Sequence, residues 1–121
     1  MTREELLLRG WHVVAFILPL ACVAWCWSWR RRDVPWPTIW ISGVLLAIPI
    51  AALFATHYDI GGGGRFVSRY EWRDIQRAWN ALTPDERTAI RVWRAAASFV
   101  SVLAGLALAH GAGVLIARLR R

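Results

Sequence analysis

Lysine is absent from this chain, methionine occurs only at position 1, and cysteine occurs only at positions 22 and 26. Each scarcity excludes something. With every one of the 15 basic residues an arginine, the composition suits a GC-rich bacterial coding sequence. Cys22 and Cys26 are four residues apart in an apolar run. A helix puts them on one face, where they cannot bridge each other without distortion, so no disulfide framework is expected. With no further thiol or thioether beyond Met1, a soft-metal site lacks its third ligand. The apolar blocks contain no paired carboxylates, and no nucleophile–base pair or nucleotide motif occurs elsewhere. Gly61 to Gly64 lack the flanking strand and the Lys-Ser/Thr pair of a phosphate cradle. The chain is therefore expected not to be an enzyme and to carry no metal or other cofactor.

Charge is missing from three long stretches. The chain is 57% hydrophobic, and all its charged residues lie between or outside those stretches, leaving none of them a polar face. A soluble helix needs such a face. The expected fold is all-α: one polytopic membrane domain over 1–121, with three transmembrane helices at about 11–29, 38–57 and 95–117. Glu4 and Glu5 stand where a signal peptide would be basic, and Arg30 to Arg32 stop the first block as they would stop a retained span. Trp11, Trp29, Trp36, Trp40, Trp79 and Trp93 fall at the expected span ends or on the loop, as interfacial anchors do. Pro19 is predicted to kink the first span and free a backbone carbonyl one turn earlier. Pro35 and Pro37 are expected to block helix and Thr38 to cap the second span. The short link between them predicts an antiparallel hairpin of neighbours.

The third block carries small residues at every fourth position: Ala97, Ser101, Gly105, Ala109, Gly113 and Ala117. In lipid, helices associate through close backbone approach, which small residues one turn apart permit. The stripe reads as a packing seam for another helix. It drifts by roughly 40° per step around the axis, so two partners can share it. Leu103 and Leu106 are expected to point away. His110, deep in this block, needs a polar contact inside the span, for which a carbonyl or hydroxyl across the seam would serve. His12 and His57 open the first span and close the second, at one membrane face; they read as interfacial residues rather than as haem or metal ligands.

Between the second and third blocks, Gly61 to Gly64 read as a flexible joint. Ser68-Arg69-Tyr70-Glu71 reads as a capping box, like Thr2 to Glu5 near the N-terminus. It opens a short amphipathic helix over about 69–82, with Trp79 on the dry side and Arg73 and Arg77 on the wet side, suited to the membrane interface or to a docked partner. Thr83-Pro84-Asp85-Glu86 is the strongest start signal, and a helix is predicted from Pro84 to near Arg120, with Trp93 and Arg94 at the membrane surface.

Net charge is +7. Because the arginines flank spans, they fit lipid headgroups and not nucleic acid. The expected partners are membrane lipids and other transmembrane helices, either of a second copy or of a larger complex. The expected location is the bacterial inner (cytoplasmic) membrane, as a multi-pass protein. The function expected from these features is that of a small non-catalytic accessory or assembly subunit of a larger bacterial membrane complex. The alternative is a holin-like pore former: in length, basic tail and an N-out topology the general architecture resembles three-span phage holins. The six arginines at positions 30–32, 118, 120 and 121 crowd one membrane face, which favours a cytoplasmic C-terminus. A reporter fused after Arg121 should therefore be active on the cytoplasmic side; periplasmic activity reverses the assignment.

Overall fold

The computed structural model describes residues 3–60 and 69–121. Among the described residues every element is helical. A short α1 (Arg3–Leu8) leads into α2, which winds as a wide π turn over Val13–Ile17 and as α-helix over Leu18–Arg30. Then come α3 (Trp36–Ile60), α4 (Arg69–Ala81) and α5 (Pro84–Leu119). Three stretches, Glu4–Arg30, Trp36–Asp59 and Pro84–Leu119, are long and apolar enough to cross a membrane. Gly61 to Gly64 and the caps expected at Thr2 and Ser68 lie outside the described residues.

Local sequence explains the helix ends. α2 stops in a Schellman motif: Val34 N–H reaches Trp29 O at 3.2 Å and Asp33 N–H reaches Arg30 O at 3.1 Å. Asp33 holds the left-handed turn at φ 59°. α3 starts two residues before Thr38, so the prolines do not block it. Pro35 O accepts from Ile39 N at 3.2 Å, and Pro37 sits in the first turn, where its missing N–H costs nothing. α5 opens as the sequence predicts, with Thr83 Oγ1 accepting from Glu86 N at 3.2 Å. Its 36 residues run roughly 54 Å at the helical rise, well beyond a bilayer core.

The hairpin expectation needs one correction. α2 and α3 are joined by the short turn, yet they touch each other little, and both lie along α5. The reason is the distribution of small residues. On one side of α5, a Cβ added to Gly105 would lie 2.7 Å from Cys22 Cβ and 3.1 Å from the Pro19 backbone. On the other side, Leu106 fills the space above Gly43, where an added Cβ would stand 2.8 Å from its methyl groups. Leu106 is thus fully buried, and Leu103 is partly buried against the same core. Neither is free of packing, because α5 is flanked by two helices and has two dry faces. The core here comprises Cys22, Cys26, Ile39, Ala47, Val102, Leu106 and Ala109.

A second cluster lies at the other end of the molecule. Leu6 of α1, Tyr58 of α3, Ile75 and Trp79 of α4 and Ile90 of α5 bury one another, while Arg73, Asp74, Arg77 and Asn80 of α4 stay exposed. Outward-facing Phe16, Leu20, Ile41, Leu45 and Leu108 remain exposed along the three long helices.

Two substitutions test the central position of α5. Gly105→Leu should destabilise the isolated chain in detergent by about 1–3 kcal/mol through overpacking. Leu106→Ala should cost about 2–5 kcal/mol by opening a cavity at Gly43. Leu108→Ala, on the exposed face, should be milder than either. Equal denaturation midpoints for Leu106→Ala and Leu108→Ala would contradict this packing.

Candidate functional site

The first span departs from regular helix at two places, and α5 answers both. At Pro19 the chain lacks an N–H. The π turn before it sends Leu18 N–H to Val13 O. Val14 O would next look to residue 19, which is proline and donates nothing. Ser101 Oγ of α5 donates to Val14 O instead. One turn on, the bare Cα of Gly105 lets Pro19 and Cys22 approach, and Cys22 Sγ lies 3.5 Å from Val102 O as its donor.

At Gly10 the chain breaks between α1 and α2 with φ 78°, a conformation that suits glycine. Val13 N turns to Gly10 O at 2.9 Å, so Arg9 O loses its helical partner. Arg94 Nη1 donates to Arg9 O at 2.8 Å, and Arg94 Nε donates to Phe54 O at 2.9 Å. Tyr58 OH donates to Leu6 O at 2.7 Å, and Arg94 Nη1 lies 3.4 Å from that hydroxyl. The guanidinium also faces the Tyr58 ring at 4.8 Å and the Phe54 ring at 5.7 Å. Arg94 is therefore buried among the chain's own side chains. Its neighbour one turn earlier is treated differently. Arg91 grips Asp59 with two bonds of 2.8 and 2.7 Å, and Trp79 Nε1 donates to the same carboxylate at 3.3 Å.

At the turn end, His110 meets indoles. Trp40 Nε1 lies 3.0 Å from His110 Nδ1, and Trp36 stacks on the imidazole at 4.4 Å between centroids. An indole only donates, so Nδ1 accepts and the neutral ring carries its proton on Nε2. The polar contact sought for His110 is thus an indole N–H of α3. Arg30 lies over the far ring of this stack, 5.5 Å from Trp36.

The seam residues divide between neighbours within the chain. Ser101 and Gly105 face α2, Ala109 is buried in the shared core, and Gly113 abuts Trp36 of α3, with an added Cβ 3.0 Å from the indole. Ala97 is half-buried and Ala117 exposed. Among the tryptophans, Trp11 and Trp93 are exposed at the end that holds Arg94. Trp29 pairs with Trp25 at 4.7 Å, and Trp36 and Trp40 are engaged with His110. Trp79 is only 3% exposed and is covered by the chain's own Tyr58 and Arg91.

Two of the open hollows bear on function. An outer groove of about 420 Å³ runs between α2 and α5, floored by Ala15, Pro19, Ala97, Val100 and Ala104, with Trp11 and Trp93 at its mouth. A cavity of about 600 Å³ lies beneath the Gly10 break, between the start of α2 and the end of α3, and brings His12 and His57 together with Arg9 and Arg94. Sequence reasoning paired the two histidines but missed Arg94 and Gly10. The readable signal was a glycine just before an apolar block, where a broken helix leaves carbonyls needing donors.

A double-mutant cycle tests the Pro19 seal. Ser101→Ala should cost about 1 kcal/mol in detergent or bicelles. In a Pro19→Ala background the restored N–H can serve the loosened turn, so the same change should cost less. Additivity of the two substitutions within about 0.3 kcal/mol would remove the seal from the account.

Comparison with protein-family models, with curated proteins and with solved structures finds no match, so the functional reading rests on this geometry.

Proposed function

We propose that this chain is a small, non-catalytic accessory or assembly subunit of a larger bacterial membrane complex, held in the inner membrane by three spans with its C-terminus in the cytoplasm. The observation that carries the reading is the open groove between α2 and α5. Its floor is small and apolar, and it holds about 420 Å³. Close approach of backbones is what drives helix association in lipid, and Ala97, Val100 and Ala104 offer it on a face that the chain's own helices leave uncovered. The partner is a transmembrane helix of another protein. Gly105 and Ser101, on the adjacent face, fix the groove's inner wall by holding α2 against α5.

In this reading α4 lies at the membrane boundary as an amphipathic cover. Ile75 and Trp79 close the cluster at the span ends, and Arg73 and Arg77 turn toward headgroups and water. That buried cluster of Leu6, Tyr58, Ile75, Trp79 and Ile90 also weighs against a holin-like pore former, which has to rearrange its spans to oligomerise into a hole.

Ala104 is exposed, so Ala104→Leu leaves the chain's own packing alone while filling the groove. Co-purification in mild detergent from the native host should lose the partner with Ala104→Leu, at an unchanged unfolding midpoint. Retention of the same partners by Ala104→Leu and wild type would defeat the proposal. Timed growth arrest with collapse of membrane potential on expression would instead favour the pore former.

A further inference from the structure

The cavity beneath the Gly10 break is a second, separate feature. Its volume is about 600 Å³, and among the described residues its lining holds two arginines and two histidines but no carboxylate. Arg94 enters it as an unusual charge. Its Nε and Nη1 donate to two carbonyls and lie near a phenol, all of them neutral. Hydrogen bonds of that kind satisfy donors without cancelling the positive charge. Among the described residues nothing accepts a hydrogen bond from Nη2, and no buried Arg94 atom is left without a partner, so Nη2 stays accessible.

Apolar side chains share the lining. Val13 and Phe54 contribute to it, and Leu53 carries it onto the outward surface of α3, where that side chain is 62% exposed. Exposed Trp11 and Trp93 mark this end of the spans as the level of the headgroups. A cationic chamber at headgroup depth that opens along an apolar helix face has the chemistry of an anionic lipid on both sides.

We propose that this cavity binds the phosphate headgroup of a net-anionic membrane phospholipid, with Arg94 and Arg9 facing the phosphate and an acyl chain lying along Val13 and Leu53. The shared chemistry is a phosphate oxyanion, which a guanidinium binds in a fork. The apolar part of the lining favours a lipid over a soluble phosphate.

The test is native mass spectrometry of the full chain in detergent with three added probes: phosphatidylglycerol, phosphatidylcholine and inorganic phosphate. Phosphatidylglycerol should be retained preferentially. Arg94→Gln is a poor variant alone, because Arg94 also holds the Gly10 break. Arg9 uses its carbonyl for that purpose, so Arg9→Gln keeps the bond to Arg94. It should weaken phosphatidylglycerol retention about fivefold, the effect of one arginine near a lipid surface. Arg118→Gln, at the other end of the molecule, should not. Leu53→Gln should lower retention of the lipid and leave any binding of inorganic phosphate unchanged. Competition by inorganic phosphate alone, insensitive to Leu53→Gln, would keep the anion site and replace the lipid by a soluble phosphate. Equal retention of both lipids, or equal losses with Arg9→Gln and Arg118→Gln, would overturn the proposal by reducing the effect to diffuse charge.

Discussion

A backbone carbonyl that leaves its helical ladder while buried needs another donor, and this fold is arranged around that constraint. The first span breaks its own ladder at Gly10 and at Pro19. Each break strands a carbonyl, and each stranded carbonyl meets a side chain of α5: Arg94 for Arg9 O, Ser101 for Val14 O. The two donors stand seven positions apart on α5, about two helical turns, so they project from similar sides of it. A regular first span would not need α5 at these two places. This irregular one does, and the need fixes both the register and the rotation of α5 against it.

The position of α3 follows from the same helix. Along its length α3 meets α5 in antiparallel order: Asp59 with Arg91, Phe54 with Arg94, Gly43 with Leu106, Trp40 with His110 and Trp36 with Gly113. Polar contacts hold both ends and apolar contacts hold the middle, where a polar pair would be most expensive. The drifting small-residue stripe explains how one helix serves two. Its earlier members, Ser101 and Gly105, lie on α2, and Gly113 has rotated round to Trp36 of α3.

Much of this was legible in the residues. Uncharged blocks bounded by arginine specify three long helices, and Thr83-Pro84-Asp85-Glu86 marks the start of α5, because these signals are local. Pro19 announced a loosened carbonyl for a local reason too. What could not be read was which side chain would meet it, since Ser101 is 87 positions away. The same distance hid the second break. A glycine at position 10 looks like a routine turn until Arg94 and Tyr58 are seen to satisfy the carbonyls around it. Leu106 was misjudged for a different reason: it was set apart from the stripe, but a helix wedged between two others has no single inward side. Trp79 reads as an anchor by residue type, but α1 and the start of α5 bring Leu6 and Ile90 into the cluster that buries it.

The two arginines of α5 separate satisfaction from neutralisation. Arg91 lies at the edge, about a third exposed, and a carboxylate cancels its charge. Partial exposure makes such a pair worth little to stability. Arg94 lies one turn deeper, and neutral oxygens occupy its Nε and Nη1. Removing one of those acceptors leaves a buried donor unmet, whereas removing Asp59 exposes a charge that water can solvate. Among the described residues no carboxylate bonds to Arg94, and it lines the hollow together with Arg9. A chain that needed Arg94 only as a donor could have used a neutral side chain there. Serine does the equivalent work at Val14. The positive charge is therefore surplus to the repair of the helix break, and it is directed at the one hollow on this chain lined by two arginines and two histidines among the described residues.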